Sequence, residues 1–429
     1  MTVDSNDASH ETPARARDLP TAVWALVVAR GVNRLGAFTL PFLAVLLHDD
    51  LGASVATAGL LVGVFGIATI PSRLAGGELA DRLGPVVTIT LGLAGCAVAQ
   101  LWVALSRSLP SAVGAVVLLG LAFELYEAPS QALMADLTPE GDRASAYGLL
   151  GAALSGAGVV AGLLAAWLGS IDLRWLFVAD AFSCLAAAVV VVTVVRPALT
   201  SASRRPLRSP DASPAAGGRG ANPWRDHRLL LLLATGTAFA VTYLALVTAL
   251  PLTLAARGIA PERAGLLLTV SALTVVAGQP LLRWAPLRPR AHALTAGYVV
   301  LAAGLLGTGV STGLTGFAAA AVLWSVGDLL LLGHMWTLVA GIAPRGSSGR
   351  YLAAYGLSWG VATAVAPLLA TQLLAVRGPL VLWGTLAAVA LALAAAQPAL
   401  VTRCRPGSSR PEVRRRPRRS SRARRAAGA

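Results

Sequence analysis

Four ionisable side chains first raise the question of chemistry: Arg30 and Arg34 in one long apolar run, and Glu124 and Glu127 in another. Inside a bilayer a charge costs roughly 2.5–3.5 kcal/mol on insertion scales, so it persists where it faces a cavity or a partner. The spacings i,i+4 and i,i+3 put each pair on one face of its helix. The first run rises and the fourth descends. At a rise of 1.5 Å per residue, Arg30 and Glu127 therefore lie about 12 Å from the same boundary, and Arg34 and Glu124 about 17 Å. Matching depths predict two buried ion pairs, Arg30 with Glu127 and Arg34 with Glu124. The competing reading is that the pairs only pin two helices together, because removing one partner of a buried pair costs about 3–5 kcal/mol. If instead a conformational change parts them, the desolvated carboxylate takes up a proton, and movement becomes coupled to a proton gradient.

Asp328 follows Gly327 midway along the tenth run, with His334 nearer its end. Either could titrate or hold a cationic group, or the two could be a hydrogen-bonded polar pair in the core. Asn33, Tyr243, Gln279, Tyr355, Ser358 and Trp359 are candidates for the rest of a substrate cavity, although packing and interhelical hydrogen bonding are the ordinary roles of such residues. No His-Glu-x-x-His, nucleophile elbow or phosphate loop occurs, and all 35 basic residues are arginine. A phosphate loop needs its lysine, so an enzyme or an ATP-driven pump is disfavoured and no cofactor or metal is expected. Cys96, Cys184 and Cys404 are odd in number and scattered, which indicates neither a disulfide framework nor a metal cluster.

These groups need elements to hold them. The chain is 56% hydrophobic and 13% charged, against roughly 45–50% and 25% in ordinary soluble domains. Apolar runs lie near residues 22–47, 56–75, 86–106, 111–135, 145–168, 175–195, 229–254, 264–282, 293–310, 316–342, 351–374 and 379–401. Each is close to the twenty or so residues that cover a bilayer core. An all-α membrane protein of twelve transmembrane helices follows. A stretch rich in Pro, Ser, Gly and Arg separates two sets of six, giving a segment at 1–17, bundles at 18–196 and 229–402, a linker at 197–228, and an arginine-rich tail at 403–429.

Most arginines, including Arg15, Arg17, Arg82, Arg143, Arg345 and Arg350, the linker set and the eleven of the tail, fall on one side of this scheme. The positive-inside rule then puts both termini in the cytoplasm. The residues before Asp18 lack the basic start and apolar core of a cleaved signal. The tail is suited to anionic lipid headgroups; no aromatic interleaving accompanies it, so nucleic acid is not expected as a partner.

The halves repeat each other. Pro139-Glu140-Gly141-Asp142-Arg143 precedes Ala146-Tyr147-Gly148-Leu149, and Pro344-Arg345-Gly346 precedes Ala354-Tyr355-Gly356-Leu357. Duplicated halves can rock about a site near the midplane, which is the physics of alternating access. Between the second and third runs lies Gly77-Glu78-Leu79-Ala80-Asp81-Arg82-Leu83-Gly84. This octet reads as a charged turn with glycines at both ends for chain reversal and close approach.

The octet resembles the signature loop of the major facilitator superfamily of secondary transporters. Further resemblance lies in Ala135-Asp136-Leu137-Thr138-Pro139, in Gly151, Gly156, Gly158 and Gly162, and in Arg30 to Gly36 with Pro41-Phe42, which is similar to bacterial drug and metabolite exporters of twelve helices. The chain departs from that pattern at Val159, where proline is usual, at Val116, where arginine is usual, and at Pro85-Val86, where a basic pair is usual. The resemblance implies the major facilitator fold and a gating loop of Gly77, Asp81, Arg82 and Gly84, with Asp81 at a neighbouring helix N-terminus and Arg82 against Asp136. It implies proton-coupled export of small molecules by a monomer in the bacterial cytoplasmic membrane. An uptake symporter or uniporter of the same fold is the nearest alternative, and a non-transporting sensor or scaffold is the alternative of another class.

Overall fold

The computed structural model describes residues 19–138, 142–202, 223–284, 290–344 and 348–404. The linker core, the arginine tail beyond Cys404, the segment before Leu19 and the repeated Pro139-Glu140-Gly141 and Arg345-Gly346 lie outside these residues.

The chain begins with α1 (Thr21–Leu35) and α2 (Thr39–Val45), the latter prolonged by a π turn, Leu46–Asp50. Then come α3 (Val55–Leu83), α4 (Pro85–Leu105), α5 (Leu109–Phe123), α6 (Glu127–Leu137), α7 (Arg143–Ile171), α8 (Arg174–Val190) and the short α9 (Arg196–Ala202). The second half holds α10 (His227–Ala256), α11 (Ala264–Trp284), α12 (Arg290–Val310), α13 (Leu314–Ile342) and α14 (Ser348–Cys404). The last is two helices split at Gly378, whose φ of 78° is a conformation that suits glycine. A helix or helix pair overlies each of the twelve apolar runs. Nine stretches among the described residues are long and apolar enough to cross a membrane, and no strand occurs among those residues.

Helices suit this composition because they satisfy every backbone N–H and C=O within the segment, as hydrocarbon surroundings demand. Hydroxyls obey the same rule. Thr242, Thr248, Thr253 and Thr308 each donate to the carbonyl four residues back in their own helix. Large apolar side chains such as Leu74, Leu105, Val376 and Phe182 point outward. Exposed Trp102, Trp167 and Trp175 mark one end of the bundle, and Trp24 and Trp224 the other, as interfacial aromatic belts do. The end where α1 begins and α14 finishes is termed the near end, and the opposite one the far end.

Two helices are interrupted in the same way. The first run breaks at Gly36–Phe38, before Pro41, and the fourth at Glu124–Tyr126, before Pro129. A proline cannot donate to the carbonyl four residues back and its ring clashes with it. The carbonyls concerned, of Ala37 and Leu125, sit at the centres of the two breaks. Proline alone is insufficient, since α3 and α10 continue through Pro71 and Pro251. The broken segments also have glycine neighbours that admit bare backbone. A Cβ on Gly76 would lie 3.0 Å from the Leu125 carbonyl oxygen, one on Gly92 2.9 Å from the Tyr126 nitrogen, and one on Gly36 2.5 Å from the Asp180 Cα.

The octet differs from its expected form as a turn. Residues 77–83 complete the last turns of α3, and Gly84 alone, at φ 85°, reverses the chain into α4 with Pro85 at its first position. Glu, Leu, Ala and Arg are strong helix formers, so the helix runs on to the glycine that stops it.

Candidate functional site

Arg30, Asn33 and Arg34 share the inner face of α1. Arg30 pairs with Glu127 at 2.5 Å, and its guanidinium stands 5.3 Å from the centroid of the Tyr126 ring. Glu127 opens α6, where helix-end amides favour a carboxylate, and it also accepts from Gln131 at 2.8 Å. The Tyr126 hydroxyl donates to Asn33 Oδ1 at 3.0 Å, and Asn33 Nδ2 donates to Cys184 Sγ at 3.3 Å. Deeper in, Asp180 of α8 is buried and accepts from Gln100 of α4 at 2.5 Å. One polar chain therefore runs across the first, third, fourth and sixth apolar runs. Within it, Arg30 Nη1 is buried and has no hydrogen-bond partner among the described residues.

Glu124 sits on the opposite side of the break. It accepts from Arg73 of α3 at 3.1 Å, while its backbone N–H donates to Ser72 Oγ at 3.1 Å. The expected pair of Arg34 with Glu124 is not formed. Tyr126 lies between Glu124 and Glu127 in sequence, and the non-helical turn at 124–126 puts the two glutamates on different partners, Arg73 for Glu124 and Arg30 for Glu127. Arg34 is exposed to the cavity and has no ion-pair partner among the described residues.

A cavity of about 540 Å³ lies between the halves. Arg30, Asn33, Arg34, Tyr126, Glu127 and Asp180 line it from one half, and Tyr243, Ser271 and Asp328 from the other. Asp328 is buried, and its Oδ1 has no hydrogen-bond partner among the described residues. Its helix is pinned at two points. Gly327 lets α13 abut α12, a Cβ there falling 2.7 Å from the Leu301 nitrogen, and Ser325 donates to Ser271 of α11 at 2.8 Å. The wall behind is aromatic: Tyr243 meets Trp359 at 5.5 Å, and Phe239 packs on Tyr298 at 6.1 Å.

The halves touch along α3 with α14 and at the far end of α7 with α11, and α7 and α11 part toward the near end. A Cβ on Gly265 of α11 would lie 2.5 Å from the carbonyl of Gly162 on α7, and one on Gly66 of α3 2.5 Å from the Cα of Ala364 on α14. Further along α7 the contact thins. A Cβ on Gly158 would find only Ala272, at 3.9 Å, and Gly156, Gly151 and Gly148 face open space within 4 Å. At the far end Arg174 ties three elements, with Asp50 at 3.0 Å and the carbonyls of Ala104 and Ser106 at 2.7 Å each.

Several expected site residues stand elsewhere. Gln279 is exposed and donates to Val275 of its own helix at 3.3 Å. His334 Nδ1 lies 2.7 Å from the Leu330 carbonyl, also its own helix. Tyr355 and Trp359 do not line the cavity: Trp359 packs against Tyr243, and Tyr355 lies against Gly236. Arg82 pairs with Glu78 at 2.5 Å instead of Asp136, both side chains well exposed, and Asp81 is exposed with no side-chain partner among the described residues. Sequence reasoning passed over Arg73, Gln100 and Asp180. Charges in the second and sixth runs carry the same signal as those in the first and fourth, and applying one rule to all twelve runs finds Arg73 and Asp180, though not the uncharged Gln100.

The profile of the Major Facilitator Superfamily matches residues 26–367. The chain belongs to that superfamily. Among its relatives, an uncharacterised MFS-type transporter of Bacillus subtilis, YhjO, is 26% identical over 338 residues, covering 78% of this chain and 81% of the relative. The multidrug resistance protein MdtH of Klebsiella pneumoniae is 24% identical over 342 residues, covering 76% and 80%. A POT family transporter crystallised with a thioalcohol-conjugated peptide superposes with a TM-score of 0.72 at 13% identity, covering 91% of this chain and 99% of that one. A D-xylose-proton symporter superposes with a TM-score of 0.67 at 15% identity, covering 87% and 96%. At such identities these two structures establish the fold alone. The protein is a multi-pass membrane transporter of the superfamily, helical throughout its described spans.

Proposed function

We propose that this transporter works by alternating access and exports small amphipathic molecules in exchange for protons, with both termini in the cytoplasm of a bacterial cell. The observation that carries the reading is the cavity between the halves, sealed by glycine contacts at the far end and reached by a charged network that joins four helices. By the positive-inside rule the near end is cytoplasmic, so the state described is open inward. Rocking of the halves would close the near end and open the seam at Gly162 and Gly265.

Arg30 with Glu127 and Arg73 with Glu124 are the proposed coupling pairs. Each joins two helices that a rocking motion can displace, and a carboxylate parted from its arginine in a dry site takes a proton. Arg73 stands beside Gly356 of α14, its Nη1 3.9 Å from a Cβ built there, so that pair lies where the two halves meet. Asp81 and Arg82 are proposed to engage Asp136 and a neighbouring helix end only in the state closed at the near end. The two prolines of the broken helices keep irregular backbone beside the cavity, where other transporters place their sites. Similarity to a multidrug resistance protein favours export over uptake.

The test is flux in proteoliposomes holding the full chain, with an imposed pH gradient and a panel of amphipathic amines, carboxylates and zwitterions. Gradient-dependent movement of at least one class against its own concentration is expected. Movement that runs only downhill and ignores the gradient would leave a uniporter.

A further inference from the structure

The transport reading leaves three groups at the cavity without protein partners. Arg30 Nη1 is buried and unbonded, Arg34 faces the cavity with no ion pair, and Asp328 Oδ1 is buried and unbonded, all among the described residues. The cations stand on α1 in the first half and the carboxylate on α13 in the second. Buried polar atoms in native structures are nearly always satisfied, so the two buried orphans, with the exposed Arg34 beside them on one void, mark places where something else supplies the partner. Glu127 is already engaged by Arg30 and Gln131, and Asp180 by Gln100, so neither offers a free acid to a ligand cation.

We propose that the substrate is a zwitterion with an apolar body, its anionic end held by Arg34 and the free Nη1 of Arg30, and its cationic end held by Asp328. This rests on the transport reading above and names the substrate class of the same cavity. A singly charged ligand would satisfy one half and leave the other's buried group unpaired, an unfavourable outcome in a desolvated site. The volume suits it: about 540 Å³ falls within the 300–1,000 Å³ range of small-molecule sites. Tyr243 lines the same cavity and packs edge-on against Trp359, which supplies an aromatic surface for the apolar body. Because the two ends bind opposite halves, one bound molecule can draw the halves together. That links occupancy to closure of the near end.

The experiment is isothermal titration of the purified full chain with γ-aminobutyrate, δ-aminovalerate, ε-aminocaproate and ω-aminocaprylate. Each is paired with the n-alkylamine and the n-alkanoate of the same carbon number. The expected result is that one chain length of the amino acid series binds about tenfold or more tighter than both of its singly charged partners, as a lost charged contact implies. Arg34→Gln and Asp328→Asn should each abolish that preference, and retention on gel filtration identifies variants that remain folded. Should either variant misfold, Arg34→Lys and Asp328→Glu must shift the preferred chain length.

Tighter binding of the amines or of the alkanoates overturns the proposal, as does no measurable binding of any amino acid in the series. The two readings fail separately. Gradient-driven flux of other compounds with no zwitterion preference removes the clamp and keeps the transporter. Zwitterion binding with no flux for any panel compound keeps the clamp and removes the coupling.

Discussion

The two halves share one scaffold and differ in what they carry at its centre. The first half holds two arginine–glutamate pairs, an aspartate–glutamine pair and two broken helices; among the described residues lining the cavity, the second offers one carboxyl group, that of Asp328, before an aromatic wall. Repeated residues diverge with them. Tyr147 is exposed and donates to the Gln131 carbonyl at 3.0 Å, while Tyr355, its counterpart in the repeat, is buried against Gly236. Buried ion pairs bring little stability in themselves, because desolvation offsets their attraction. The proposed coupling pairs thus all lie in the first half, whereas the proposed ligand contacts are shared with the second.

The sharpest way to break this comparison is to neutralise the acids of the first half. Glu124→Gln and Glu127→Gln should each cut gradient-driven flux by about a hundredfold, the scale of losing one positioned proton-transfer group. Immunoblotting should find normal amounts of both variants in the membrane, and full activity in both would remove the coupling pairs.

Next comes the seam between the halves. Gly265→Leu should lower flux by about tenfold or more, overpacking a close contact costing about 1–3 kcal/mol, whereas Gly151→Leu in the open flare should be nearly silent in the same assay.

Asp328→Asn should weaken ligand binding by about tenfold and leave the pH dependence of residual flux in place. A pH profile that collapses with Asp328 would move coupling into the second half.

The smallest effects belong to the periphery. Trp359→Ala should reduce affinity several-fold through loss of its ring contacts with Tyr243 and Phe239, each on the scale of about 0.5–1.5 kcal/mol, as read by titration. Removing residues 405–429 should change flux by less than about twofold, because their arginine-rich composition holds almost nothing apolar to bury.

Much of this was legible before any coordinates. Length and apolarity placed the helices, and rise per residue placed Arg30 opposite Glu127, because depth is one-dimensional information that sequence contains. Azimuth is not. The pairing of Arg34 with Glu124 assumed an unbroken fourth helix, and Pro129 with its glycine neighbours breaks it, handing Glu124 to Arg73. The octet from Gly77 to Gly84 misled in the opposite sense. Its two glycines suggested a turn, yet only Gly84 needs a positive φ, and the residues between them prefer a helix. Gln279 and His334 were chosen for polarity alone, and each is satisfied by its own helix.

The most direct measurement is proton movement evoked by substrate, read with a pH-sensitive dye trapped in proteoliposomes, alongside substrate exchange without a gradient. The account predicts that a Glu124→Gln, Glu127→Gln double variant still exchanges substrate yet gives no proton signal. A proton signal of wild-type size from that variant would contradict it.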